Sequence, residues 1–164
     1  MRRHLTTRNL AVASVIAALY VALTYATYEI SFLGTQFRVS EALTVLPFFI
    51  PAAVPGLFVG CLLANLVSPL GPLDMVFGPL ATLAAAYLSM KCRRLWMVPI
   101  PPIAVNALVI GAILYVYIGG APYWAFAASV GLGQAGVLLL FGTPLMLWLH
   151  KTNLIQKVMG HSNP

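Results

Sequence analysis

Apolar runs about twenty residues long recur along this chain, and nothing else in it limits the fold as strongly. Each helical residue rises only ~1.5 Å, so a helix needs roughly 20 apolar residues to cross the ~30 Å hydrocarbon layer of a bilayer. Residues 9–29, 53–69, 73–90, 100–118 and 123–149 fit that requirement. Inside lipid there is no water for backbone amides, so such runs fold as helices that satisfy their own hydrogen bonds. The composition agrees: 61% of the chain is hydrophobic and 7% is charged, against ~25% charged in a soluble domain. This balance excludes an ordinary soluble enzyme, a disordered chain and a disulfide scaffold. It leaves an all-α integral membrane protein with almost nothing outside the bilayer.

The stretch 41–52 is apolar but short, and Pro47 and Pro51 interrupt it. It is either a short tilted helix or a re-entrant segment, because broken backbone is tolerated at membrane depth when it lies inside protein. Orientation follows from the basic residues, which stay on the cytoplasmic side. Arg2, Arg3 and Arg8 precede the first run, Lys91, Arg93 and Arg94 follow the 73–90 run, and Lys151 and Lys157 follow the last. Arg38 is the exception. Six transmembrane helices, the second short and proline-interrupted, with both termini cytoplasmic, satisfy this pattern; a re-entrant 41–69 hairpin reduces the count to four. Either way the 30–40 loop and the turns at 70–73 and 119–122 face outward. The expected organisation is a basic cytoplasmic N-terminus at 1–8, a single transmembrane domain over 9–150 and a cytoplasmic tail at 151–164. Met1-Arg2-Arg3 looks like the start of a signal peptide, but the apolar run is too long and no clean cleavage site follows, so a retained helix is expected. The net charge of +6 reads as the flank bias just described and not as a nucleic-acid footprint.

The acids number three, Glu29, Glu41 and Asp74, each near the outer end of an expected helix. Charge at membrane depth is costly and usually faces a cavity or a partner. The alternative is a hydrated interfacial position, with an Arg38–Glu41 ion pair. Glu41 and Asp74 suit the cavity better than Glu29, because apolar helix follows each directly. Asn65, Asn106 and Gln134 reach deeper. Their amides need partners, which either a neighbouring helix or a ligand supplies. Tyr25, Tyr28, Phe32, Phe37, Tyr115, Tyr117, Tyr123 and Trp124 crowd the same outer layer, as an interfacial belt or as a stacking wall for a flat ligand. Cys61 and Cys92 have no second thiol or base nearby and read as bystanders. His4, His150 and His161 form no metal cluster, and neither a phosphate-binding G-x-x-x-x-G-K-[ST] loop nor H-E-x-x-H occurs. No enzyme activity, cofactor or metal is expected.

In the first run, Ser14, Ala18, Ala22 and Ala26 recur every four residues, with Ala13 and Ala17 alongside. Such a smooth stripe serves close packing within the protein or docking of another membrane subunit. Ala127, Gly131 and Ala135 repeat it in the last run, and Pro144 is expected to bend that helix. The residues thus describe a small membrane protein with a polar, aromatic cavity opening outward and no energy source of its own.

The segment Phe37-Arg38-Val39-Ser40-Glu41-Ala42-Leu43-Thr44-Val45-Leu46-Pro47 resembles the QueT family of queuosine-precursor transport proteins. Gly60-Cys61-Leu62-Leu63-Ala64-Asn65, Pro69-Leu70-Gly71-Pro72-Leu73-Asp74-Met75-Val76-Phe77-Gly78 and Leu80-Ala81-Thr82-Leu83 extend the likeness, which covers roughly residues 8–150. The resemblance implies a six-helix S component of an energy-coupling-factor (ECF) importer. Such a subunit binds solute in a prokaryotic plasma membrane and works with a membrane T component and two ATPase subunits. The implied substrate is a 7-deazaguanine, queuine or 7-aminomethyl-7-deazaguanine. Glu41 or Asp74 would then accept from the guanine-like N–H groups, and the other carboxylate would pair with the cationic substituent. Asn65, Asn106 or Gln134 would donate to O6, while Phe37, Tyr28 or Trp124 would wall the ring. Arg38 would orient Glu41. The alanine-rich stripe, Ala13, Ser14, Ala17, Ala18, Ala22 and Ala26, would dock the partner. Alternatives are an S component for thiamin or riboflavin, a membrane scaffold without a ligand, and a small carrier working alone.

Overall fold

The computed structural model describes residues 6–31 and 37–152, and every regular element among them is helical. Arg2, Arg3, Phe32, Lys157 and most of the tail lie outside the described residues. Helix α1 (Thr7–Ala26) starts where the Thr6 hydroxyl accepts from the Asn9 amide at 3.4 Å. A short α2 (Tyr28–Ser31) follows, and then a 3₁₀ segment, Val39–Phe48. Next come α3 (Ala53–Ala64), continued by a 3₁₀ turn over Asn65–Val67, and α4 (Gly71–Lys91). A 3₁₀ turn at Leu95–Met97 leads into α5 (Ile100–Ile118). The last rod is α6 (Tyr123–Val137), a π-helical turn (Leu138–Gly142) and α7 (Thr143–Lys151). Pro144 has no N–H for the helical ladder, and the π turn just before it is where the rod changes its hydrogen-bond register.

Four of these segments are long and apolar enough to cross a membrane: Thr7–Ala26, Gly71–Lys91, Leu95–Ile118 and Tyr123–Lys151. Val39–Phe48 and Ala53–Val67 are shorter apolar helices. At ~2.0 Å per residue, the ten-residue 3₁₀ segment reaches roughly 20 Å, short of the ~30 Å layer. All of Ser40–Pro47 is buried, so the proline-broken backbone that the sequence marks as anomalous is enclosed by protein. It touches α1, α3, α4, α6, α7 and the π turn.

Around this rod α1 packs on α3, α4 lies between α3 and α5, and α5 packs on α6. Glycine permits the closest approaches. A Cβ on Gly60 would sit 2.8 Å from Tyr20 Cβ and 3.0 Å from Ala17 Cα, and one on Gly56 would lie 2.6 Å from the Ala13 carbonyl oxygen. One on Gly111 would lie 2.8 Å from Ala127 Cα. Backbones at this distance gain dispersion and packing, the main attraction left between helices in lipid. The outer surface carries Leu10, Val15, Val116, Leu132, Leu139 and Leu140, all exposed, as a lipid-facing shell requires. Arg8, Lys91, Arg93, Arg94 and Lys151 are exposed too. Among the described residues the buried charged side chains are Arg38, Glu41 and Asp74.

Candidate functional site

Glu41 opens the first turn of the 3₁₀ segment and is 2% exposed. Four helices reach its carboxylate. The Tyr20 hydroxyl of α1 donates to Oε1 at 2.5 Å and the Thr82 hydroxyl of α4 donates to the same oxygen at 3.2 Å. Asn106 Nδ2 of α5 and Gln134 Nε2 of α6 donate to Oε2 at 3.2 and 3.4 Å. Every one of these groups is a donor, which suits an ionised, acceptor-only carboxylate. Thr82 lies roughly 16 Å along α4 from its start, and Gln134 roughly 16 Å along α6, so the carboxylate sits about halfway along α4 and well inside the bundle. A bare charge there is prohibitive; hydrogen bonds to a charge each contribute about 1.5–3 kcal/mol, and Glu41 is held by several. The two amide contacts are longer than the ~2.9–3.0 Å usual for N–H···O, so they are the loosest members of the set.

Asp74, in the first turn of α4, is fully buried. Its Oδ2 accepts from the Ser68 hydroxyl at 2.5 Å and faces Arg38 Nη2 at 3.7 Å. Its carbonyl accepts from Asn65 Nδ2 at 3.0 Å. Asp74 Oδ1 and Asn65 Oδ1 are buried without a hydrogen-bond partner. Cys61 joins the two carboxylate clusters: its sulfur lies 3.3 Å from the Thr82 hydroxyl, whose single proton is shared between it and Glu41 Oε1, and it accepts from Arg38 Nη1 at 3.9 Å. Beside the Glu41 carboxylate lies a cavity. Arg38, Glu41, Thr82, Asn106 and Gln134 form its polar wall, and Ile110, Val130 and the bare backbone of Gly78 form the rest. Its volume open to the centre of a water molecule is about 10 Å³, about room for one water. A ring-sized solute therefore enters only as side chains swing aside, and Asn106 and Gln134 have the least to lose.

A family model described as QueT transporter matches residues 10–151. The chain belongs to the QueT transporter family. Neither the curated proteins nor the solved structures yield a match. Membership makes this a membrane transporter component with a small-molecule substrate, a multi-pass protein, and points to transport in place of enzyme catalysis.

In this QueT chain Arg38, Glu41, Asn65, Asp74, Asn106 and Gln134 come together in one buried cluster. Phe37 is half-buried at its margin, its ring against α6 at Gly136. Tyr28 and Trp124 do not join it. Tyr28 is exposed with its hydroxyl on the Val67 carbonyl at 3.3 Å, and Trp124 is 70% exposed. Both point outward, the position that suits amphipathic rings at a membrane interface. Two expectations need correction. Arg38 forms its ion pair with Asp74, while Glu41 is held by donors from the helices. Cys61 is no bystander, because its buried sulfur is a shared acceptor inside the cluster.

Tyr20, Thr82 and Ser68 donate to the two buried carboxylates, and sequence reasoning passed over them. Single hydroxyls are ordinary in apolar helices, so composition does not flag them. One signal was available for Tyr20. Tyr20 and Thr24, four residues apart on one face, lie on a side of α1 different from the Ser14 stripe. The stripe itself divides. Ala17 is buried and Ala13 half-buried beneath Gly60 and Gly56 of α3, whereas Ser14, Ala18, Ala22 and Ala26 are exposed.

Proposed function

We propose that this chain is the solute-binding S component of an ECF importer, taking up a queuosine precursor of the 7-deazaguanine class while partner subunits hydrolyse ATP. The observation that carries the reading is the Glu41 carboxylate, buried inside the bundle among four donors and lining a cavity. A guanine-like edge offers N1–H and an exocyclic amine side by side, which a carboxylate accepts as a pair. In this reading Glu41 exchanges its two long amide bonds for that edge. The freed N–H groups of Asn106 and Gln134 turn to O6, so neither amide loses its acceptor. Ile110 and Val130 supply an apolar wall for the ring, with Phe37 at the margin. The exposed stripe of Ser14, Ala18, Ala22 and Ala26 is the proposed face for a T component in the plasma membrane of a prokaryote. Its lack of side-chain bulk allows the close approach that membrane helices use.

Calorimetric titration of the detergent-purified protein tests the reading. The panel is queuine, 7-aminomethyl-7-deazaguanine, 7-cyano-7-deazaguanine, guanine, thiamin and riboflavin. Submicromolar binding confined to deazaguanines is expected, and tight binding of thiamin or riboflavin alone would overturn the substrate class. Ala18→Trp is expected to bind solute within about twofold of the parent yet to lose uptake in cells that also hold the partner subunits, because bulk on the stripe prevents close helix contact. Unchanged uptake would remove the stripe as the docking face.

A further inference from the structure

The cavity wall with least to hold it is α6. Val130 and Gln134 of this helix line the cavity, yet α6 packs on α5, runs on into the π turn and touches the 3₁₀ segment only lightly. Its polar hold on the site is the Gln134 bond to Glu41 Oε2, at 3.4 Å the longest of the four. The seat on α5 is smooth. A Cβ on Gly111 would lie 2.8 Å from Ala127 Cα, and one on Gly131 would lie 3.4 Å from Ala107 Cβ. At these two contacts methyls and bare backbone meet, and no long side chain stands between the helices.

Both ends of α6 are built to turn. At one end Gly119 and Gly120 have φ of 62° and 75°, and a Cβ on either would meet nothing within 4 Å. At the other end lies the π turn, which holds one residue more than the packing uses. Two helical turns are about seven residues. That step from Gln134 and Leu138 reaches Phe141 and Leu145, but the residues buried there are Gly142 and Met146. Leu139, Leu140 and Phe141 are exposed in a row. A continuous α-helix one residue shorter would therefore bury the same two faces. Pro144 sets where the surplus sits, because its ring would strike the carbonyl four residues back in a regular helix. Thr143 braces it: its N–H and, at 3.0 Å, its hydroxyl both donate to the Leu138 carbonyl. Beyond the turn the rod is anchored, with Met146 in an apolar cluster with Val45 and Val98. Packing does not require a π turn here, and such turns recur at functional sites.

We propose that α6 is the lid of the cavity. It rolls on α5 between the di-glycine turn and the π turn, carries Val130 and Gln134 away from Glu41, and is braced shut by the Thr143 hydroxyl. The roll converts room for one water into an entrance. That solute passes this way rests on the cluster being the solute site; the motion itself does not.

Val130→Cys in the purified full chain reports the motion with no solute present. Its thiol is buried with the lid shut and open to methyl methanethiosulfonate with the lid raised, and mass spectrometry separates it from Cys61 and Cys92. Deleting Leu140 removes the surplus residue, and modification at position 130 is expected to slow about tenfold or more as the hinge stiffens. Leu140→Ala keeps the length and should stay within about twofold of the parent rate. Thr143→Val removes the brace and should speed modification about threefold or more, while Thr143→Ser restores the parent rate. A deletion chain modified as fast as the parent overturns the lid, and so does modification at position 130 no faster than at Cys61. If the deletion chain does not fold, the Thr143 pair decides: equal rates in Thr143→Val and the parent overturn the lid. Titration of the ligand panel keeps the two readings apart. Hinge-dependent modification without deazaguanine binding upholds the lid and overturns the substrate class. Deazaguanine binding with hinge-independent modification does the reverse.

Discussion

Glu41 and Asp74 are both buried carboxylates, yet they are satisfied in opposite ways. Glu41 draws its donors from α1, α4, α5 and α6, residues distant in the chain. Asp74 draws its own from Ser68 in the preceding turn and from Arg38, and keeps one oxygen without a donor. The first arrangement can exist only when the bundle is assembled. The second is largely made where α3 hands over to α4, with Gly71 at φ 67° allowing that tight turn. Glu41 thus ties assembly of the helices to the formation of the cavity, whereas Asp74 is a local structure with capacity to spare.

The largest effect is expected at Glu41. Glu41→Gln keeps the shape but turns one acceptor oxygen into a donor, which then faces groups that are themselves donors. Solute binding should weaken about 1,000-fold, roughly 4 kcal/mol at 1.4 per tenfold, measured by calorimetry on the best ligand of the panel. A loss of less than tenfold would break the comparison, since Glu41 would then be structural alone.

Gly78→Ala comes next and probes the Asp74 side. The added methyl meets the Asn65 amide and Asp74 Oδ1, so the amide must move and its bond to the Asp74 carbonyl is strained. Overpacking of this kind costs about 1–3 kcal/mol. Solute binding should fall about tenfold or more, because Gly78 lines the cavity, while the hydrogen bonds around Glu41 stay in place. The direct check is calorimetric titration of the best ligand of the panel. A loss as large as that of Glu41→Gln would mean that the methyl distorts the whole cavity.

Much of this contrast could be read in the chain before any coordinates. Glu41, Asp74, Asn106 and Gln134 stand out because a polar residue inside an apolar run must have a partner. The helices at 71–91, 100–118 and 123–151 follow the apolar runs closely, since in lipid the length of a run and the length of a helix answer to the same thickness. Proline 47 marked the 3₁₀ segment as irregular but not as buried, because burial there depends on α1, α4 and α6 closing around it. The unequal fates of Ala13 and Ala18 were illegible for the same reason. Both are small residues on one helix, and only α3, with Gly56 and Gly60 four apart, decides which of them is covered. Tyr28 and Trp124 misled because an aromatic near a helix end suits a ligand wall and an interface equally well.

The smallest expected effect separates two hydrogen bonds of the same length. Tyr20 and Ser68 each donate a hydroxyl to a carboxylate at 2.5 Å, so distance alone predicts equal worth. Their surroundings predict otherwise. Tyr20 is fully buried beneath Gly60, and in Tyr20→Phe no water can reach Glu41 Oε1 to replace the lost donor. A bond to a charge is then forfeited outright, about 1.5–3 kcal/mol. Ser68 is only partly buried, so in Ser68→Ala Asp74 Oδ2 keeps Arg38 and gains access to water, and the cost should stay below about 1 kcal/mol. At roughly 2–4 °C per kcal/mol for a chain of this size, thermal unfolding in detergent should show a midpoint several degrees lower for Tyr20→Phe and a shift of a few degrees at most for Ser68→Ala. Equal shifts would mean that water already reaches both carboxylates. The distinction between an enclosed Glu41 and a locally held Asp74 would then rest on the orphan Oδ1 alone.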